Sequence, residues 1–133
     1  MNFNKNSNTV KDYEAVIATL KTYAEGLRSG NPELLRTAFH KDATMYGYWG
    51  EHLIEGSIEN LYTSVEKAGA APKIATHITV LHMTPTTASV RNEVEANAMM
   101  EDFTEYHSLV KINGEWKIVS KLFHKYDKEV ILK

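Results

Sequence analysis

The chain has 133 residues, 15 basic and 17 acidic side chains for a net charge of −2, 43% hydrophobic and 24% charged residues, and no cysteine. That composition suits one soluble domain with a sizeable core. It lacks the basic excess of a nucleic-acid binder, and it excludes disulfides, a thiol nucleophile and thiolate metal sites. Absence of cysteine fits a reducing, cytoplasmic setting. No apolar run approaches the ~18 residues of a membrane span. The opening MNFNKNSN has no apolar stretch after its lysine, so residues 1–8 read as a flexible polar leader to a single domain over 9–133.

From Thr9 to Arg28, Val10, Tyr13, Val16, Ile17, Leu20, Tyr23, Ala24 and Leu27 recur at three- and four-residue steps, predicting an amphipathic helix. Thr9 with Asp12 resembles a capping signal, and Ser29-Gly30 marks the stop. Asn31-Pro32-Glu33 opens a second helix, with an N-cap, a proline in the first turn and an acid near the positive end of the dipole. It carries Leu34, Leu35, Ala38 and Phe39 and ends near His40. The stretch FHKDATMYGYWG then reads as a bend into a strand, with Asp42 capping the turn. Ser57 starts a third helix bearing Ile58, Leu61, Tyr62 and Val65, closed by Gly69 and Pro72.

The remainder reads as strands over 73–83, 88–99, 103–112 and 115–124, a helices-then-meander order that predicts an α+β domain with helices on one face of a sheet. Asn113-Gly114 between apolar runs is a strong hairpin signal. A two-residue turn there puts Phe103, Glu105, His107, Leu109, Trp116, Ile118, Ser120, Leu122 and His124 on one face. Thr104, Tyr106, Ser108, Val110, Ile112, Lys117, Val119, Lys121 and Phe123 fall on the other. Both faces are substantially apolar, and one helical layer covers only one. The expectation is a homodimer formed through the sheet.

The six histidines do not make a metal site. His77 and His82 are five apart on a strand and so face opposite sides, and there is no HExxH. His107 and His124 share the face expected to meet a second copy. No Gly-x-Ser-x-Gly elbow and no glycine-rich phosphate loop is present, so neither nucleophilic serine chemistry nor a nucleotide cofactor is indicated, and no cofactor is expected.

Three runs resemble the NTF2-like superfamily: Tyr23-Ala24-Glu25-Gly26, then Ser29-Gly30-Asn31-Pro32, then Ala38-Phe39-His40-Lys41-Asp42-Ala43. So does the closing segment from Leu109 to His124. The likeness is greatest to the bacterial group labelled "putative lumazine-binding", beside the SnoaL-like, polyketide-cyclase-like branch, and it covers roughly Val10 to Tyr126. It implies a cone-shaped barrel: three N-terminal helices packed in a curved antiparallel sheet around a pocket, commonly dimeric. Matched to the steroid isomerases of this fold, Tyr23 falls on the oxyanion-donor tyrosine. Their base falls on Gly47 and their protonated acid on Ser108. Glycine takes no proton, so isomerase chemistry of that type is not expected.

The same matching implies a pocket of Tyr23, Phe39, Met45, Trp49, Val65, Asn92, Tyr106, Ser108, Lys121 and Phe123. It leaves His107, Leu109, Trp116, Ile118, Leu122 and His124 as the dimer face. A buried lysine needs a partner, and Lys121 either reaches solvent at the rim or pairs with Glu105 or Tyr106. The favoured expectation is a protein that binds a small hydrophobic or aromatic molecule. The alternatives are an enzyme of cyclase, isomerase or dehydratase type, and an association module with a vestigial pocket. A strongly shifted lysine or an enclosed acid–base pair in the cavity would favour the enzyme, and a ligand-sized cavity would count against the association module.

Overall fold

The computed structural model describes residues 9–127; the polar leader lies outside them. The first helix, α1 (Val10–Ser29), opens on the expected capping box. The Thr9 hydroxyl accepts from the Asp12 amide at 3.3 Å while Asp12 accepts from the Thr9 amide at 3.4 Å. It ends at Gly30, whose φ of 63° is the left-handed conformation glycine adopts freely. The second helix, α2 (Pro32–Ala38), starts at Asn31, whose side chain accepts from the Leu34 amide at 3.2 Å. The strand β1 (Phe39–Trp49) follows at once, then the short β2 (His52–Ile54) and α3 (Glu59–Ala68). Strands β3 (Ala75–Met83), β4 (Thr87–Glu95), β5 (Phe103–Ile112) and β6 (Glu115–Lys125) complete the chain.

The sheet runs β2-β1-β6-β5-β4-β3. It is mixed rather than wholly antiparallel: β1 pairs parallel with β6, and every other neighbour pairs antiparallel. The three helices fill its concave side. Val16, Leu20 and Tyr23 of α1, Leu35 of α2 and Ile58, before α3, are almost wholly enclosed with Val90, Leu109 and Ile118 of the sheet. Each such aliphatic side chain contributes about 1.5–3 kcal/mol by leaving water. No helix among the described residues is long and apolar enough to cross a membrane.

The hairpin turn forms as read, with Asn113 at φ 51° and Gly114 at φ 80°, the positive angles of the turn that suits twisted strands. Its strands then depart from simple alternation. Leu109 pairs with Ile118, but Ser108 pairs with Ser120, leaving Val119 as an extra residue in a β-bulge. One extra residue flips every later side chain to the other face. Trp116 and Ile118 point into the cone before the bulge, and Lys121 and Phe123 do so after it.

The expected dimer face is therefore corrected. His107, Leu109, Trp116 and Ile118 are buried against the helices, while Leu122 and His124 remain on the outside. Trp116 sits under α1, its indole N–H 3.4 Å from Asp12 Oδ1. Tyr106 and Ser108 are corrected the other way: both are exposed on the convex face. A second bulge, between Val80 and His82, puts His77 opposite Glu93 and His82 opposite Ser89, so these histidines share a face after all. They gather no third ligand, and the described residues hold no cluster able to bind a metal ion.

Candidate functional site

A cavity of about 770 Å³ opens between the inner face of the sheet and α3. Each element contributes for a local reason. In β1 the alternation aims Met45 and Trp49 inward and leaves Tyr46 and Tyr48 exposed. On α3, Leu61 and Val65 project from the buried stripe. The β6 bulge delivers Lys121 and Phe123, and β5 delivers Phe103 and Glu105. Aromatic rings form one wall, with Phe103 centred 5.8 Å from Trp49 and 5.9 Å from Phe123. At the rim the Lys125 ammonium lies 5.2 Å from the Trp49 ring and 3.5 Å from Glu101. Mostly apolar walls with a few convergent polar groups are the composition of a small-molecule site.

Those polar groups meet on one carboxylate. Glu105 is 2% exposed. Its Oε2 accepts from the Tyr23 hydroxyl at 2.8 Å and faces the Lys121 ammonium at 3.6 Å. Its Oε1 receives His107 Nε2 at 2.9 Å and the Asn92 amide at 3.3 Å. A carboxylate only accepts, so His107 carries its proton on Nε2 and Asn92 turns its NH₂ group toward Glu105. Nδ1 of His107 and Oδ1 of Asn92 are then buried without a hydrogen-bond partner among the described residues.

Burial raises the Glu105 pKa, but the Lys121 charge, the hydrogen bond and charge of His107 and the Tyr23 hydrogen bond outweigh it and hold the group at about 2. Glu105 is thus anionic at neutral pH. The Tyr23 phenol moves the opposite way, pushed well above 10 by burial and by the negative charge it touches. It donates to Glu105 and keeps its proton. Lys121 differs from these fully engaged neighbours. Its side chain is 7% exposed, its nearest anion is 3.6 Å away, and it makes no hydrogen bond to the described residues. Its ammonium lies 5.6 Å from the Tyr23 ring and 5.3 Å from the Phe123 ring, both favourable to a cation.

Of the residues expected in the pocket, Tyr23, Met45, Trp49, Val65, Lys121 and Phe123 line the cavity. Phe39 and Asn92 stand one layer behind: Phe39 packs edge-on to Tyr23 at 5.6 Å, and Asn92 holds Glu105. Ser108 is not beside Tyr23; Glu105 and His107 are. Glu105 was legible only as one of two partners for Lys121, and His107 stood on the wrong face, because alternation carries no sign of a bulge. Gly47 keeps no room for a base. A Cβ there would fall 2.7 Å from the Phe123 ring and closer still to its carbonyl oxygen.

Residues 11–124 match the family described as "Putative lumazine-binding". The chain is 42% identical over 118 residues to aldolase FrzH from a Cladobotryum species, covering 89% of this chain and 94% of that one. An NTF2-like protein of unknown function from Methylobacillus flagellatus superposes with a TM-score of 0.85 at 33% identity, over 91% of this chain and 97% of that chain. A second, from Shewanella baltica, gives 0.85 at 27% identity, over 92% and 100%. The chain belongs to the "putative lumazine-binding" family of the NTF2-like superfamily.

Proposed function

We propose that the cavity binds a small, largely apolar molecule bearing a carbonyl group, and that Lys121, held by Glu105 beside Tyr23, activates that carbonyl for proton transfer at the neighbouring carbon. The observation that carries this reading is the Lys121 ammonium, which reaches the cavity with no hydrogen bond of its own. An ion pair buried only for stability needs good geometry and satisfied protons to offset its desolvation. Here the protons of Lys121 are left for a ligand oxygen. Burial strengthens such a bond and places positive charge where an enolate oxygen develops.

The relative named an aldolase supports the same chemistry, since an aldol reaction begins with proton removal beside a carbonyl. Cyclase, isomerase and dehydratase reactions share that step. The test is a thermal-shift screen of aromatic and alicyclic ketones and aldehydes, followed by aldol and retro-aldol assays on those that bind. A ligand of the folded state raises the melting point with the logarithm of its concentration. Ketones that stabilise the wild type and not Trp49→Ala support the reading. A screen in which flavins or pterins bind and no carbonyl compound does would refute it.

The expected homodimer remains a proposal on a revised surface. Tyr46 and Tyr106 both pair with Leu122 across the sheet, and all three are exposed on its convex face. A second copy of the chain is the partner proposed for this row.

A further inference from the structure

Resting on the reading above, we propose that Lys121 is a covalent catalytic residue whose Nζ joins the carbonyl carbon of a ketone or aldehyde in the cavity to form an iminium. Three features of the site fit that step. Nζ faces the cavity and has no hydrogen bonds to the described residues to break before it attacks. Glu105 is fixed independently by Tyr23, His107 and Asn92, so it keeps its position while the nitrogen changes its bonding. The Tyr23 and Phe123 rings within 5.6 Å of Nζ favour any cation at that point, iminium as well as ammonium.

The step balances within the site. Ammonium and carbonyl combine with loss of one water: a carbon–nitrogen double bond forms and the carbon–oxygen bond breaks. Both protons of the departing water come from Nζ, which keeps one. The first proton passes from Nζ to the carbonyl oxygen as the nitrogen attacks, and the second as that oxygen leaves, while Glu105 Oε2, 3.6 Å away, stays anionic beside the positive nitrogen. The charge on nitrogen is +1 before and after, so the buried carboxylate keeps its counter-ion. The substrate class follows from the walls: a carbonyl at the Lys121 end, and a flat apolar body between Trp49, Phe103 and Phe123.

The experiment uses benzoylacetone, a flat aromatic diketone that converts a reactive amine into a stable, strongly absorbing enaminone. Adducts on the wild-type protein are located by mass spectrometry after digestion. The result expected is labelling of Lys121 about tenfold or more faster than the exposed Lys21, Lys41 and Lys73 of the same molecule, as for an activated nucleophile. This internal comparison needs no variant to fold. Lys121→Arg, once shown to be folded by circular dichroism, removes the fast adduct. Labelling of Lys121 at the rate of surface lysines, or none, overturns the proposal. Butyrophenone, which carries a single ketone, separates the two failures by thermal shift. Stabilisation without a Lys121 adduct overturns the covalent step and leaves the carbonyl-binding cavity standing; neither stabilisation nor adduct overturns both.

Discussion

The Lys121 ammonium stands 3.6 Å from Glu105 Oε2, and both side chains are almost wholly enclosed. Neither charge is tolerable there alone, and each makes specific predictions.

Lys121→Met leaves a buried carboxylate without its counter-ion. Removing one member of such a pair costs about 3–5 kcal/mol. The double variant Lys121→Met/Glu105→Gln removes both charges and is expected to be more stable than Lys121→Met alone. Urea denaturation of the two variants and the wild type measures this. A double variant no more stable than Lys121→Met would mean that the Glu105 charge needs no counter-ion in this fold.

Acid sensitivity follows from Glu105, whose pKa falls from an ordinary 4.5 to about 2 in the fold. A group with a depressed folded pKa contributes stability that is fully present above its unfolded pKa. That contribution is lost as pH falls through the folded one. The loss therefore runs from about pH 4.5 down to about 2, on the order of 3 kcal/mol. In Glu105→Gln that portion of the acid limb is expected to disappear, with the remaining limb set by exposed carboxylates. Denaturation midpoints across this range would show it.

Gly47→Ala places a methyl group against the Phe123 ring and carbonyl. Overpacking of this sort costs about 1–3 kcal/mol. Because Gly47 pairs with Phe123, the displaced strand also narrows the cavity. Both the melting point and the affinity for any cavity ligand are expected to fall. An alanine variant with unchanged melting point would show that β1 and β6 separate easily.

Leu122→Glu tests the convex face. It puts a charge between Tyr46 and Tyr106 at an exposed position, where the folding free energy changes by about 0.5 kcal/mol or less. Sedimentation velocity is expected to show a dimer for the wild type and a monomer for the variant. A wild type that is monomeric at high concentration would remove the proposed interface.

Much of this architecture was legible in the chain because its signals are local. Thr9 and Asp12 cap α1, Asn31 and Pro32 start α2, and Asn113-Gly114 makes the hairpin turn, each through contacts a few residues long. Met45 and Trp49 alternate cleanly with the tyrosines of β1, so that wall of the cavity could be read directly. The Glu105 centre could not. Residues on both faces of the hairpin are apolar, so nothing in the pattern distinguishes a regular ladder from one with a bulge at Val119. That one residue moved Tyr106 and Ser108 out of the site, kept Lys121 and Phe123 in it, and brought His107 inside. The parallel pairing of β1 with β6 was equally hidden, because it joins segments more than 70 residues apart by backbone bonds that leave no composition signal.

The central claim is that this cavity moves protons beside a carbonyl. Its most direct measurement is deuterium uptake at the α-carbon of a bound ketone, followed by proton NMR in D₂O, for wild type, Lys121→Met and Glu105→Gln. The account predicts exchange well above the buffer rate with wild type, lost in folded Lys121→Met and reduced in Glu105→Gln. A ketone that binds the folded wild type and exchanges no faster than in buffer would contradict it.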